Sequence, residues 1–319
     1  MGAEVILDRI SKFFKDYQGK IVTALNEVSI QIEKEELIAV VGETGSGKTT
    51  LGRISAGLVY PSIGKVTIDG NELNKKSVKR GHWKRVQFIH QDPYSALDSM
   101  MTVAEIMERP LQYINKINRK EERIMQIRDY LPKLGLEKSV LTKYVRELSG
   151  GERQRILIGR AFIVNPDFLV ADEPTTMLDF IHRNEIIQLI KSLKETYKTT
   201  MLLITHDLGL ASEISGRLLV MYKGKIVESG PKKNLVLNPA HPYTLALNAA
   251  VPDKIIENKG RESYFWKAKT ESNIFQGIGK GCDYVGICPF AHDRCSKEAP
   301  KLVEIERGHM VSCFYPQGS

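Results

Sequence analysis

The stretch ELIAVVGETGSGKTT (36–50) constrains the fold of this 319-residue chain more than any other. ELIAVVG (36–42) is a short apolar run ending in glycine, the pattern of a buried strand. GETGSGKTT (42–50) fits the phosphate-loop pattern G-x-x-x-x-G-K-[ST], and the spacing predicts a helix from Gly47 to Leu58. Glycines at 42, 45 and 47 let backbone N–H groups, with those of Ser46 and Thr50, turn inward around a phosphate. The helix N-terminus adds a positive dipole end. Lys48 has the reach for β- and γ-phosphates, and the Thr49 hydroxyl suits Mg2+. Strand, loop and helix in this order predict an α/β fold that binds a nucleotide.

Around this unit, residues 3–10 and 21–33 alternate apolar and polar as half-buried strands do. KVTIDG (65–70), RVQFIHQD (85–92), DFLVADEP (167–174) and TTMLLITHD (199–207) read as further strands. Residues 103–145 have three- and four-residue apolar spacing and read as a helical insertion. RLLVMYKGKIVESG (217–230) predicts a hairpin turning at Lys223-Gly224. From Asn238 onward proline, cysteine and aromatics rise and periodicity falls, which puts a boundary near 236.

Two further motifs carry chemistry. FLVADEP (168–174) delivers Asp172 and Glu173 at the carboxyl end of an apolar strand, where ligands bind in open α/β sheets. Asp172 is suited to hold Mg2+ through water, and Glu173 to activate a water as general base. LSGGERQR (148–155) places Ser149, Gly150 and Gly151 before a predicted helix. That is a second phosphate cradle, and Ser149 followed by Glu152 is also an ordinary helix cap.

With the phosphate loop, LSGGERQR, FLVADEP and THD in this order, the chain resembles the ATP-binding cassette (ABC) ATPases over roughly residues 3–235. The resemblance implies a RecA-like P-loop core with an antiparallel β subdomain and a helical insertion at about 95–150, within a nucleotide-binding domain of residues 1–235. Gln91 matches the family glutamine that touches Mg2+ and the water and senses the membrane subunit. His206 matches the switch histidine at the γ-phosphate, and Asp179 the loop aspartate at the dimer interface. Head-to-tail dimerisation is implied, with Ser149 and Gly151 contacting ATP held by the second ATPase. Glu173, His206 and Gln91 are therefore the catalytic candidates. For the aromatic platform under adenine, Tyr17 is the candidate, with Phe13 and Phe14 as competitors; paired phenylalanines more often pack in a core.

Narrower marks resemble the oligopeptide and dipeptide importers. QDPYSALDSMMT (91–102) is similar to their QDP stretch, with Asp98 and Ser99 replacing the usual Asn-Pro. NPAHPYTLALNAAVP (238–252) resembles their post-core element. All four cysteines, Cys282, Cys288, Cys295 and Cys313, lie in a tail resembling theirs, spaced C-x5-C-x6-C-x17-C. Four thiolates suit a single 4Fe-4S cluster or a structural zinc, and spacing alone does not separate these. The resemblance implies the cluster, in a small irregular metal-bearing domain at 236–319. His292 and His309 are read as bystanders.

No apolar run is long enough to span a bilayer, and the N-terminus does not read as a secretory signal. A net charge of +8 suits an anionic partner. The expected place is the cytoplasmic face of the cell membrane, peripherally bound. Expected partners are a second ABC ATPase, the same chain or a different one, two membrane-spanning permease subunits, and through them an extracytoplasmic solute-binding protein. Nucleic acid is not expected, because ABC ATPases that act on it carry two cassettes or a long coiled-coil insert. The expected cargo is oligo- or dipeptide, with oligosaccharide or nickel as alternatives.

Overall fold

The computed structural model describes residues 2–78, 81–249 and 280–317. In chain order the elements are β1 (Val5–Lys15), β2 (Ile21–Ile32), β3 (Leu37–Val41), α1 (Lys48–Ser55), β4 (Ile63–Ile68), β5 (Asn71–Glu72), α2 (His82–Arg85) and β6 (Val86–Ile89). Then come α3 (Pro93–Ala96), α4 (Val103–Tyr113), α5 (Lys120–Tyr130), α6 (Gly150–Phe162), β7 (Phe168–Asp172), α7 (Phe180–Tyr197), β8 (Thr200–Thr205) and α8 (Leu208–Ile214). The chain continues through β9 (Arg217–Tyr222), β10 (Lys225–Pro231), α9 (Lys232–Leu237), α10 (Pro242–Ala249), α11 (Asp293–Lys297), β11 (Val303–Glu306) and β12 (His309–Val311). Contacts divide it into two compact units.

The first unit contains residues 1–8, 29–36 and 52–204. Its centre is the parallel set β6, β7 and β8, in register Val86↔Phe168 and Phe168↔Thr200. FLVAD and TMLLIT are buried at every position, as strands covered on both faces are. The predicted insertion resolves into α4, α5 and three short 3-10 turns at Leu131–Leu134, Lys138–Thr142 and Val145–Glu147. In α4, Thr102 and Glu105 form a reciprocal cap, and Val103, Ile106, Met107, Pro110 and Leu111 make one buried stripe.

The second unit contains residues 9–28, 37–51 and 205–319. β3 pairs parallel with β9, and β9 runs antiparallel to β10. Their hairpin turns at Lys223 (φ 43°) and Gly224 (φ 79°), the left-handed pair expected of a two-residue turn. The tail departs from the irregular domain expected. β12 pairs antiparallel with β10, Glu228 opposite Val311, and β11 pairs with β12. The physical reason is the open edge of β10, whose unpaired backbone groups need a partner. Phe13 and Phe14 also depart from expectation: they lie on β1 and are 38% and 43% exposed, not packed in a core. Among the described residues, no helix is long and apolar enough to cross a membrane. The last residues of the 238–252 element lie outside the described residues.

Candidate functional site

The phosphate loop bridges β3 and α1. Gly47, at φ +101°, could carry no side chain, since a Cβ there would lie 2.5 Å from the Ala24 carbonyl. The β9–β10 turn braces the loop: Gly224 N–H donates to Ser46 O, and Asn26 N–H donates to Gly224 O, both at 2.9 Å. Lys48 is buried and folds back on the loop, donating Nζ to the carbonyls of Gly42 at 2.7 Å and Glu43 at 2.8 Å. The Glu43 N–H donates to the Tyr243 hydroxyl at 2.8 Å. Ser46 Oγ is buried and has no hydrogen-bond partner among the described residues, an orphan that a bound phosphate oxygen would satisfy. Thr49 and Thr50 open α1.

In the same unit, His206 is exposed, between Thr205 at the end of β8 and Asp207. Asp207 caps α8, accepting from Leu210 N–H at 3.0 Å. Tyr17 is fully exposed in the β1–β2 turn.

In the first unit, Asp172 ends β7 and is buried. Glu173 follows at φ 47°, a left-handed conformation that costs a non-glycine residue about 1–2 kcal/mol. Its N–H is tied to Ile204 O at 2.8 Å. Its Oε2 accepts from Gln91 Nε2 at 3.0 Å and from Thr176 Oγ1 at 2.9 Å. The sequence pair Gln91 and Glu173 is thus brought together, and Thr176 is an addition. Nothing in the periodicity marked it; its signal is the i+3 offset from Glu173 in a turn.

LSGGERQR opens α6 with a reciprocal cap: Glu152 N–H donates to Ser149 Oγ at 3.2 Å, and Ser149 N–H donates to Glu152 Oε2 at 2.8 Å. Arg153 donates to the carbonyls of Val145 and Leu148 and stacks 4.1 Å from the Tyr94 ring centre. The glycines here differ from Gly47. A Cβ on Gly150 would meet only Tyr94 Oη at 4.0 Å, and one on Gly151 only His182 Cδ2 at 3.5 Å. Neither glycine is required by its own chain's packing. His182 also joins Asp179, which accepts from its backbone N–H at 3.0 Å and contacts its Nδ1 at 2.8 Å.

After Gln91, residues Tyr94–Ser99 line a cavity of about 540 Å3 with Ile106, Arg109 and Arg160. Burial, then the nearby Arg109, lowers the pKa of Arg160. Burial, then Arg160 and Arg53, does the same to His90. The charged groups of the lining are Arg109, Arg160 and Asp98.

In the tail, all four cysteines line one small cavity of about 20 Å3, walled by Val285, Phe290 and Phe314. Burial, with the neighbouring thiols adding repulsion, pushes Cys288 up to about 12 and Cys313 up to about 11. Among the described residues, no three His, Cys, Asp or Glu side chains are disposed to hold a metal ion. His309, read from the sequence as a bystander, has a place in the fold. It is buried and its Nε2 lies 2.7 Å from Glu228 Oε1. Glu228 is fully buried and also accepts from the Ala240 and His241 N–H groups, both at 2.8 Å.

Comparison with known proteins places this arrangement. The family described as "ABC transporter" matches residues 25–176, and "Oligopeptide/dipeptide transporter, C-terminal region" matches 227–295. The putative oligopeptide transport ATP-binding protein YkfD of Bacillus subtilis is 37% identical, covering 96% of this chain and 94% of its own. The oligopeptide transport ATP-binding protein AppF of the same organism is 35% identical, over 93% and 91%. A putative peptide import ATP-binding protein of Brucella ovis is 36% identical, over 94% and 95%. Among solved structures, the dimeric ATP-binding cassette MJ0796, in a post-hydrolysis state with ADP and Pi, matches with a TM-score of 0.64 at 29% identity, covering 72% of this chain and 98% of that one. The chain therefore belongs to the ATP-binding proteins of the oligopeptide/dipeptide ABC transporters and is an ABC-type ATPase.

Proposed function

We propose that this ATPase energises the import of oligo- or dipeptides through separate permease subunits, working as a dimer with itself or a homologous chain at the cytoplasmic face of the membrane. The observation that carries the catalytic assignment is Glu173, held at the end of β7 by Gln91 and Thr176. In this reading, Gly42, Gly45, Ser46, Gly47, Lys48, Thr49 and Thr50 bind the phosphates, and Tyr17 stacks on adenine. Lys48 leaves the loop carbonyls for the β- and γ-phosphates. Glu173 takes a proton from the attacking water, and the proton-bearing carboxyl is held by Thr176. His206 stabilises charge on the γ-phosphate. Thr49, Asp172 and Gln91 are assigned to Mg2+, which takes oxygen donors such as a hydroxyl, a carboxylate and an amide oxygen. That ion neutralises phosphate charge when bound.

Ser149, Gly150, Gly151 and Asp179 face the second ATPase. Two glycines that their own fold does not require support this, because a glycine kept for close approach must be approached by something. The permease docks at the cavity following Gln91, so its movement reaches Glu173 through one hydrogen bond. In this reading residues 1–235 are the nucleotide-binding domain and 236–319 the C-terminal extension with the four cysteines.

Cys282, Cys288, Cys295 and Cys313 hold a 4Fe-4S cluster with a structural role. Four thiols crowded in one apolar-walled cavity repel one another once ionised, and cationic iron removes that penalty. The decisive experiment is purification of the subunit from native membranes in mild detergent, with mass spectrometry of co-purifying chains and receptor-bound ligand. Permeases with peptide in the receptor support the reading. Sugar or a metal chelate overturns the cargo, and no permease at all overturns the transport role.

A further inference from the structure

Tyr243 is buried at the start of α10, and its hydroxyl accepts the Glu43 N–H, 200 positions earlier, at 2.8 Å. The other side of the Glu43 residue is held as well, since its carbonyl accepts from Lys48 Nζ. The two holds are not equivalent. Under the function proposed above, Lys48 must abandon the Glu43 carbonyl to reach a phosphate. Tyr243 then remains as the tether on the first turn of the loop.

Tyr243 is itself firmly placed. Its N–H donates to His241 Nδ1 at 3.0 Å. The N–H groups of Ala240 and His241 donate to the buried Glu228 carboxylate. Its ring packs against Tyr222, centroids 4.7 Å apart, and Tyr284, 5.6 Å apart. Tyr284 and His241 line the cysteine cavity. One side chain thus joins the phosphate loop to the C-terminal tail.

We infer that Tyr243 is a positioning residue for nucleotide binding: its hydroxyl holds the Glu43 peptide, so that affinity for the phosphates is set in part by the C-terminal extension. The hydroxyl never meets the nucleotide. It stabilises the loop conformation that binds, which removes part of the ordering cost of binding. This inference rests on the phosphate loop being the nucleotide site.

The test uses the purified full-length subunit. Binding of ADP and ATP is measured by calorimetry, and ATP turnover by steady-state kinetics, for wild type, Tyr243→Phe and Tyr222→Phe. Tyr243→Phe keeps the ring and removes the acceptor. It is expected to weaken nucleotide binding and raise KM about three- to tenfold, the worth of one hydrogen bond. Its kcat at saturating ATP stays within about twofold of wild type. Tyr222→Phe alters the same aromatic cluster and keeps wild-type affinity. Wild-type affinity in Tyr243→Phe overturns the inference. So does an equal loss in both variants, which would make the effect one of packing. Failure of the wild-type chain to bind nucleotide overturns the reading of the phosphate loop itself.

Discussion

The Gln91 side-chain amide donates to Glu173 Oε2 at 3.0 Å, although the residues lie 82 positions apart. A general base must be held and kept ionised, and this bond with that from Thr176 does the first. Replacing Glu173 by Gln keeps shape and removes the proton acceptor. Turnover should fall at least about 100-fold, the usual scale for a general base, while ATP affinity stays near wild type. Unchanged turnover removes Glu173 from the role.

Gly151 gives a different kind of prediction. Its own chain leaves room for a Cβ, so Gly151→Ala should shift the unfolding midpoint by less than about 2 °C. Turnover should drop all the same, because in the proposed dimer the group that needs the space belongs to the second ATPase. A large stability loss would show that the glycine serves its own fold.

The Glu228–His309 pair concerns stability. Glu228 is fully buried and His309 is 2% exposed. Removing His309 opens a cavity and leaves the buried Glu228 with only the Ala240 and His241 N–H groups. His309→Ala should cost about 3 kcal/mol in denaturant unfolding. A cost below about 0.5 kcal/mol would show the pair to be dispensable.

The cysteine assignment is checked by analysis of the metal. Anaerobic purification should yield about four irons with matching sulfide per chain and a broad brown absorbance. Cys288→Ser should lower both. Stoichiometric zinc without sulfide sinks the cluster.

His82 supplies a pH dependence. Burial holds its pKa below the ordinary value; the Ala56 carbonyl, 2.9 Å from Nε2, opposes the shift, and Arg85 adds to it. The unfolded chain therefore binds the proton first as pH falls. The contribution to stability is present above about pH 6.5 and is lost progressively below it. The unfolding midpoint should fall less between about pH 7.5 and about pH 5.5 in His82→Gln than in wild type. Equal falls exclude His82 as a source.

Much of this was legible in the chain because the local rules agree. ELIAVVG had to be a buried strand, and the glycine pattern after it had to be a loop ending in a helix. Lys223-Gly224 announced its own turn. What stayed hidden was long-range. Thr176 is an ordinary turn residue until Glu173 is placed beside it. The HPYT stretch marked a relationship, but nothing in it named Glu43 as the partner of Tyr243. His309 looked idle among the cysteines because its partner, Glu228, sits on a strand 81 positions earlier. The exposure of Phe13 and Phe14 was invisible because alternation says which residues share a face, not which face is covered.

The pairing of β12 with β10 bears on how the protein is made. Residues 225–231 leave the ribosome well before 309–311 can join them. In that interval the nascent chain displays an unprotected strand edge and a carboxylate lacking its imidazole. The sheet is sealed only after residues 309–311 have been made. A premature stop between these strands would deliver a chain with every nucleotide motif intact and an adhesive border, a product destined for aggregates or proteolysis.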